Sequence, residues 1–389
     1  MATRSPLAPS PTRVLMTTDA VTGVWNYSLE LARALRPRGI EVGLACLGPS
    51  PTPRQRLEAG AVGNVELHER PFALEWMPEP WNDLGRAGEW LLELEDAFEP
   101  NVAHLNHYCH ASLPWNAPVL VAAHGDRLSW ARAVYGEEAP ASAPASRYRT
   151  EVAAGLRSAD MLVAPTRALL EDLRLFEPGC GHKLTALEQA RVIPHARSQA
   201  LFTPRAKRDF ILTAGRAWDE AKAMGSLERA AAGLPWPVFM AGSTEDFNGN
   251  AVEFRQVDCL GPLHQADLAN WMGLASIFVL PSRYEPSGLA ALEAGLAGCA
   301  LILSDIPSLR ESWCDAAFFV PPGDVKALAA ALQRLIKDGA FRRQLAGLAH
   351  RRALSRAPEQ MAESYMECYR ELLLRTPQPV ALEVPPAAH

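Results

Sequence analysis

Ser276-Ile277-Phe278-Val279-Leu280-Pro281-Ser282-Arg283-Tyr284-Glu285-Pro286-Ser287-Gly288-Leu289-Ala290-Ala291-Leu292-Glu293 places a short apolar run, a proline- and glycine-bearing turn and an apolar helical repeat in direct succession. Ser276 to Leu280 reads as a buried strand, and Leu289 to Leu296 repeats apolar residues at helical spacing. Glu285 and Glu293 stand eight residues apart, one in the loop and one on the helix. With Ser287 as the helix cap, the amides of Gly288, Leu289 and Ala290 have no partners within the helix. Together with the positive end of the helix dipole they point outward, an arrangement that suits phosphate. Glu293, about six residues in, lies roughly 9 Å from those amides at a rise of about 1.5 Å per residue, which is close to the reach from a diphosphate to a ribose. A carboxylate there accepts both ribose hydroxyls, and Glu285 on the other side faces the sugar end of the same ligand. Taken alone, such a pair is more often a solvated helix glutamate and a loop glutamate, so the spacing by itself is weak evidence.

A second element lies about seventy residues upstream. Phe210-Ile211-Leu212-Thr213-Ala214 reads as a strand ending in Gly215-Arg216, with Lys222 opening the next helix. Arg216 offers a planar fork and Lys222 a movable point charge, a combination that grips a diphosphate without metal. Without the two glutamates they read as ordinary surface cations.

Ala214-Gly215-Arg216 with Lys222, Pro281 to Leu289 with Glu293, Gly298, Ser304-Asp305 and Glu311, and Val320-Pro321-Pro322-Gly323-Asp324 together resemble the nucleotide-binding half of the family 4 retaining glycosyltransferases. The likeness runs through nearly the whole chain and is strongest from about Phe210 to Tyr369. It implies a GT-B fold, in which two Rossmann-like α/β domains face a cleft. It also implies transfer of a sugar from a nucleotide diphosphate with retention at the anomeric carbon. Retention is implied by the resemblance alone.

The composition is compatible with such an enzyme. A chain of 389 residues, 48% hydrophobic and 21% charged, is long enough for two domains of common size. Its net charge of −6 argues against a nucleic-acid-binding surface. Seven cysteines without a Cys-x-x-Cys pair indicate neither a disulfide framework nor a zinc ribbon, so a reducing, cytoplasmic setting is expected. Met1 to Thr12 lacks a signal-length apolar block and no segment approaches about 20 apolar residues, so a soluble protein is expected. No strongly basic amphipathic stretch calls for membrane docking. The two ends, Met1 to Pro11 and Thr376 to His389, read as mobile, and the Ala- and Pro-rich stretch Glu138 to Ser146 as an exposed loop.

Strand-like and helical runs alternate throughout, the pattern of doubly wound parallel sheets. In the first half, strands are expected at Arg13 to Thr18, Glu41 to Leu47, Val65 to Arg70, Val102 to Asn106, Val119 to Ala123, Met161 to Ala164 and Val192 to Pro194. A second series begins at Phe210 and continues at Val238 to Ala241, Val257 to Leu260, Ser276 to Leu280, Ala300 to Leu303 and Phe318 to Val320. The expected division is an acceptor-side domain at 1–205, a nucleotide-sugar domain at 206–357, and 358–389 as a C-terminal helix with its tail. The resemblance implies that this helix crosses back onto the first domain. Pro194 to Arg208 is the linker candidate. Ligands of open α/β sheets bind beyond the carboxyl ends of the strands, so both sheets should present those ends to one cleft.

In the first half, Thr22 can cap a helix and Gly23 lets a ligand approach the backbone, where relatives often carry two adjacent glycines. His124 follows an expected strand and should hang over the cleft. A lone histidine at a strand end is more often a structural hydrogen-bonder, but the resemblance implies contact with the transferred sugar. His107 and Tyr108 line the expected acceptor pocket. The nearby Cys109 and His110 lack a complementary pair for a metal, and no Asp-x-Asp occurs. Trp76, Trp81 and Trp130 either stack on a sugar ring or pack.

The expectation is therefore a metal-independent glycosyltransferase that needs no cofactor. Its partners are a nucleotide-sugar donor and a hydroxyl acceptor. His124, Glu285, Arg216 and Lys222 act on the donor, while Gly23, Ser287, Gly288, Leu289 and Glu293 bind it. A nucleotide-sugar 2-epimerase of the same fold and a non-catalytic nucleotide-sugar binder are the competing readings.

Overall fold

Parallel pairing follows from the alternation of strand and helix, because each crossover returns the chain to run in the same direction. The computed structural model describes residues 10–136, 143–179, 184–246 and 249–375. Nearly all of the two expected mobile ends, and most of the Ala- and Pro-rich stretch 138–146, lie outside them. The first sheet holds β1 (Arg13–Asp19), β2 (Glu41–Leu47), β3 (Val65–Glu69), β4 (Val102–Leu105), β5 (Val119–Ala122), β6 (Met161–Ala164) and β7 (Arg191–Val192), in the order β3-β2-β1-β4-β5-β6-β7. The second holds β8 (Arg208–Ala214), β9 (Val238–Ala241), β10 (Asp258–Gly261), β11 (Ala275–Leu280), β12 (Ala300–Ser304) and β13 (Phe318–Val320), ordered β10-β9-β8-β11-β12-β13. Every ladder between these strands is parallel.

The strand order reverses between β1 and β4 in one sheet and between β8 and β11 in the other. These switch points open a crevice beyond the strand carboxyl ends. Central strands are covered on both faces, which is why their sequences are continuous apolar runs rather than alternating ones. All six residues of β11 are buried, and Val14, Leu15 and Met16 of β1 are fully so.

The last helix, Pro358–Arg375, packs on the first, Val24–Leu35, and feeds Met361, Tyr365, Tyr369 and Leu372 into the core of the first sheet. A buried polar chain secures it. Tyr27 donates its hydroxyl to Tyr365 at 2.6 Å, and His104 Nδ1 lies 2.7 Å from the Tyr369 hydroxyl. Burial pushes the His104 imidazole down to about 3, so it serves as a neutral hydrogen-bonding group.

Several contacts join the two sheet lobes directly. Glu311 accepts the amides of Arg167 at 2.8 Å and Ala168 at 3.1 Å, at the start of the helix Arg167–Leu173 on the opposite lobe. The Thr166 hydroxyl donates to Pro286 O at 3.0 Å, and the Asp126 amide donates to the Tyr284 hydroxyl at 3.2 Å. The lobes therefore meet around the crevice rather than standing apart.

Local sequence accounts for features that apolar periodicity passes over. The helix Pro53–Gly60 is set by a capping box: Gln55 N donates to Thr52 Oγ1, and the Gln55 side chain accepts from Thr52 N. Within the helix Ala143–Ser158, Gly155 lies against the backbone after β4, and a Cβ there would sit 1.9 Å from Tyr108 O. A glycine-to-alanine change inside a helix ordinarily stabilises by about 1 kcal/mol. Here overpacking reverses the sign, and Gly155→Ala is expected to lower stability by about 1–3 kcal/mol. A fall of several degrees in thermal midpoint checks this; an unchanged or raised midpoint contradicts the packing described.

Candidate active site

The crevice is a cavity of about 590 Å³ lined from both lobes by residues at strand carboxyl ends. Asp19 ends β1, Asn106 and His107 follow β4, and His124 follows β5. From the other side come Gly215 and Arg216 after β8, and Tyr284 to Ser287 with Leu289 and Glu293 after β11. Gly23, His124, Arg216, Lys222, Glu285, Ser287, Leu289 and Glu293 thus share one cavity, and Gly288 adjoins it at the end of the same turn.

The turn after β11 departs from the sequence expectation. Ser287 does not cap the helix: Gly288 holds the N-cap position with φ 67°, and the helix runs Leu289–Leu296. That left-handed backbone suits glycine. Nor is the Gly288 amide free for an anion, since it donates to Glu285 Oε1 at 3.2 Å. The Leu289 and Ala290 amides remain at the helix start, where no carbonyl of the same helix can reach them. Glu293 is the fifth helical residue rather than about the sixth.

Glu285 is clamped. Its Oε2 accepts from Lys222 Nζ at 2.7 Å and its backbone carbonyl from the Ser308 hydroxyl at 2.6 Å. Lys222 ends a 3₁₀ turn, Glu220–Lys222, instead of opening the helix that begins at Met224. Arg216 Nη2 donates to Asp219 Oδ2 at 2.9 Å, and Trp130 Nε1 donates to Asp219 Oδ1 at 2.9 Å from the opposite lobe. Burial pushes the Asp219 carboxyl up, but Arg216 and Lys222 outweigh it and hold the group below its ordinary value. Asp219 carries no motif that marked it in the sequence. Both cations keep donors to spare, because an ammonium has three and a guanidinium five.

Glu293 has a partner that sequence reasoning missed. Arg197, in the expected linker, is 2% exposed and lies between two carboxylates, Glu293 Oε1 at 2.9 Å from Nε and Glu30 Oε2 at 3.0 Å from Nη1. Glu30 belongs to the first lobe's helix Val24–Leu35, so the guanidinium bridges both lobes beneath the crevice. Burial pushes the Glu293 carboxyl up and Arg197 opposes the rise. Among the basic residues of Pro194 to Arg208, nothing in the sequence marks Arg197 as the buried one.

In the first lobe, the Thr22 hydroxyl accepts the first helical amide, Val24 N, at 3.2 Å but Thr22 does not hold the N-cap position. Gly23 holds that position with φ −63°, while the Thr22 hydroxyl donates to Asp19 Oδ2 at 2.7 Å. Gly23 is therefore not needed for its conformation. A Cβ there would lie 3.5 Å from Leu289 Cδ2, an ordinary contact across the lobes. His124 Nε2 lies 2.7 Å from Asn106 Oδ1. Asn106 donates its amide nitrogen to Thr17 O at 2.6 Å, so its oxygen accepts and the histidine Nε2 donates. Nδ1 is left as the ring's acceptor, a match for a hydroxyl. Burial, with His195 beside it, holds His124 well below its ordinary value, and burial takes His195 down to about 3. Both rings are neutral at physiological pH. Trp76 and Trp130 line the cavity, whereas Trp81 packs beneath Arg147 at 4.3 Å.

Comparison with known proteins agrees with this architecture. The family model described as Glycosyltransferase Family 4 matches residues 21–183, and that described as Glycosyl transferases group 1 matches residues 210–352. A glycogen synthase of Mycobacterium tuberculosis is 29% identical over 214 residues, 51% of this chain and 51% of that protein, so the match spans about half the relative's length. An Escherichia coli O-antigen chain mannosyltransferase B is 36% identical over 83 residues, 21% of this chain and 22% of its own. Among solved structures, sucrose-phosphate synthase from Thermosynechococcus elongatus superposes with TM-score 0.74 at 20% identity, covering 94% of this chain and all (100%) of the other. Anabaena HepE in complex with UDP-glucose gives 0.71 at 14% identity, covering 92% of this chain and 99% of the other. At these identities the structural likeness establishes the fold.

Two expectations follow from the site's electrostatics. Arg197→Met strips buried Glu293 of its cation and leaves Glu30 only Arg33, 3.9 Å away, and should destabilise the protein by about 3–5 kcal/mol, with partial recovery when Glu30→Gln is added. Thermal denaturation of both variants checks this. Asp126, 6% exposed, caps the helix Arg127–Tyr135 by accepting Ser129 N at 2.8 Å, and burial raises its carboxyl to about 6. A raised acid contributes stability that is complete below its unfolded value, about 3.9, and is lost as pH climbs through the folded one. Asp126→Asn should therefore gain about 2–3 kcal/mol on the wild type between pH 4 and pH 7, because the amide does not titrate. A pH-independent difference between the two proteins contradicts it.

Proposed function

The chain belongs to the family 4 glycosyltransferases, with their GT-B fold, and we propose that it moves a glycosyl group from a nucleotide diphosphate sugar to a hydroxyl acceptor, with retention and without a metal ion. The observation that carries this reading is the meeting of Arg216, Lys222, Glu285 and Glu293 in one crevice with the free end of the helix Leu289–Leu296. Structures of Anabaena HepE with UDP and with UDP-glucose support a nucleotide-sugar donor, and the curated relatives are sugar transferases.

In this reading the diphosphate sits between Arg216, Lys222 and the amides of Leu289 and Ala290. Reaction forms a bond from the acceptor oxygen to the anomeric carbon and breaks the bond from that carbon to the diphosphate oxygen, which leaves with the electron pair, while the acceptor hydroxyl's proton passes to the released diphosphate. Cations and amides already in place stabilise that developing charge, commonly the largest catalytic contribution. Asp219 and Glu285 hold the two cations at the cavity wall before the donor arrives. Glu293 receives the ribose hydroxyls, the sugar lies against Glu285, and His124 Nδ1 accepts from a sugar hydroxyl. Contact of the lobes excludes water, the competing acceptor.

No helix among the described residues is long and apolar enough to cross a membrane, and the six described cysteines are all free. We place its action in a reducing, cytoplasmic setting on the strength of the sequence, whose seven cysteines form no Cys-x-x-Cys pair.

The double variant Arg216→Ala, Lys222→Ala should lower donor turnover about 10³-fold or more, while the wild type keeps its rate in the presence of a chelator. Donor turnover is measured by release of nucleoside diphosphate from a panel of UDP-, GDP- and ADP-sugars. Unchanged turnover in the double variant contradicts the diphosphate site, and loss of activity on chelation contradicts the metal-free chemistry.

A further inference from the structure

We propose that His107, set beside Asp19 where β4 and β1 end, is the binding point for a hydroxyl of an uncharged, polyhydroxylated acceptor; the assignment rests on the glycosyltransferase reading above. His107 lines the crevice and is 5% exposed, yet among the described residues neither of its ring nitrogens has a hydrogen-bond partner. Its nearest charged neighbour is Asp19, with Oδ2 4.0 Å from Nε2. Buried polar atoms in native proteins are almost always satisfied, and an exception in a binding cavity calls for a ligand group.

The ring is not idle through looseness. Tyr108 N and Cys109 N, immediately after it, donate to Glu75 Oε2 at 3.0 and 2.9 Å, and the Tyr108 hydroxyl donates to Gly125 O at 3.1 Å. From below, Gly155 packs so closely on Tyr108 O that no side chain fits between them. The neighbouring turn is fixed as well, since Asp19 Oδ1 accepts Val21 N at 2.9 Å and Thr22 N at 2.6 Å. A rigid frame thus holds an unsatisfied imidazole at the cavity wall, which is how a prearranged binding group is built.

The chemistry of the ligand follows from what surrounds it. An imidazole nitrogen can pair with a hydroxyl either as donor or as acceptor, whereas a phosphate only accepts. Among the described residues, the first-lobe lining carries the carboxylates Asp19, Glu75 and Asp126 against one cation, Arg127, and His124 and His195 are held neutral by burial. A phosphorylated or carboxylated group at this wall meets like charge. A neutral sugar or cyclitol does not, and Trp76 and Trp130 offer aromatic faces to its ring.

The test uses whichever nucleotide sugar the full-length wild type turns over. Methyl α-D-glucopyranoside, methyl α-D-mannopyranoside and myo-inositol serve as neutral acceptor probes, glucose 6-phosphate and inositol 1-phosphate as charged ones. At least one neutral probe should accelerate donor turnover and become glycosylated, and the charged probes should do so at least tenfold less well. His107→Ala should raise the half-saturating concentration of that neutral probe tenfold or more, with the thermal shift caused by nucleoside diphosphate retained. His107→Gln, which keeps a donor and an acceptor, should recover part of the loss and carries the test should the alanine variant not fold. A charged probe preferred over all neutral ones, no response to any neutral probe in an enzyme that consumes donor, or an unaltered neutral-acceptor response in both variants overturns the proposal. A wild type that neither binds nucleoside diphosphate nor consumes any donor overturns the glycosyltransferase reading itself.

Discussion

A guanidinium sealed between carboxylates of two different lobes is the constraint around which this molecule is arranged. Arg197 sits on the segment that joins the lobes, Glu30 on the first helix and Glu293 on the helix that follows β11. An ion pair this buried gains little over apolar packing but is costly to break, so it specifies an arrangement more than it stabilises one. Here the arrangement specified is the relative placement of the two crevice walls. Because Glu293 belongs both to this triad and to the cavity lining, whatever engages its carboxylate from the crevice must share it with Arg197.

The charges that face the crevice are likewise paired in advance. Lys222 with Glu285, and Arg216 with Asp219, make a wall in which each cation has its own carboxylate and its position is set. Such a wall carries no large net charge to disturb the empty protein, yet presents unused donors where, in the proposed reaction, diphosphate charge develops. Preorganisation of this kind lowers the reorganisation needed at the moment of reaction. The opposite wall differs, since burial keeps His124 and His195 uncharged and acidic side chains outnumber basic ones. Two walls of different electrical character, one suited to a polyanion and the other to a neutral hydroxyl compound, meet in one cavity.

Much of this was legible in the residues because strand and helix periodicity survives in single sequences. The apolar run before Pro281 is β11, and the alternation of runs yields both parallel sheets with boundaries within a few residues. The candidates Glu285, Glu293, Arg216, Lys222 and His124 converge because each follows a strand that ends at the crevice, a consequence of topology. Local capping was less legible. Ser287 is an apt cap by type, but Gly288 can take the left-handed conformation and does, and the carboxylate of Glu285 then takes the amide expected to be free. Asp219 and Arg197 escaped notice because a charged residue in a loop or linker looks solvated until the fold shows what covers it. The Thr52 and Gln55 capping box, by contrast, stands in the residues as a pattern, but the helix it starts buries only Ala59 and so carries little apolar periodicity.

A crystal structure of the protein with the nucleoside diphosphate that most raises its thermal midpoint tests the central claim most directly. The account predicts that the diphosphate oxygens lie within hydrogen-bond distance of Arg216 and Lys222 and that the ribose hydroxyls reach Glu293 while it still contacts Arg197. A nucleotide bound outside this crevice, or one whose diphosphate touches neither cation, would contradict it.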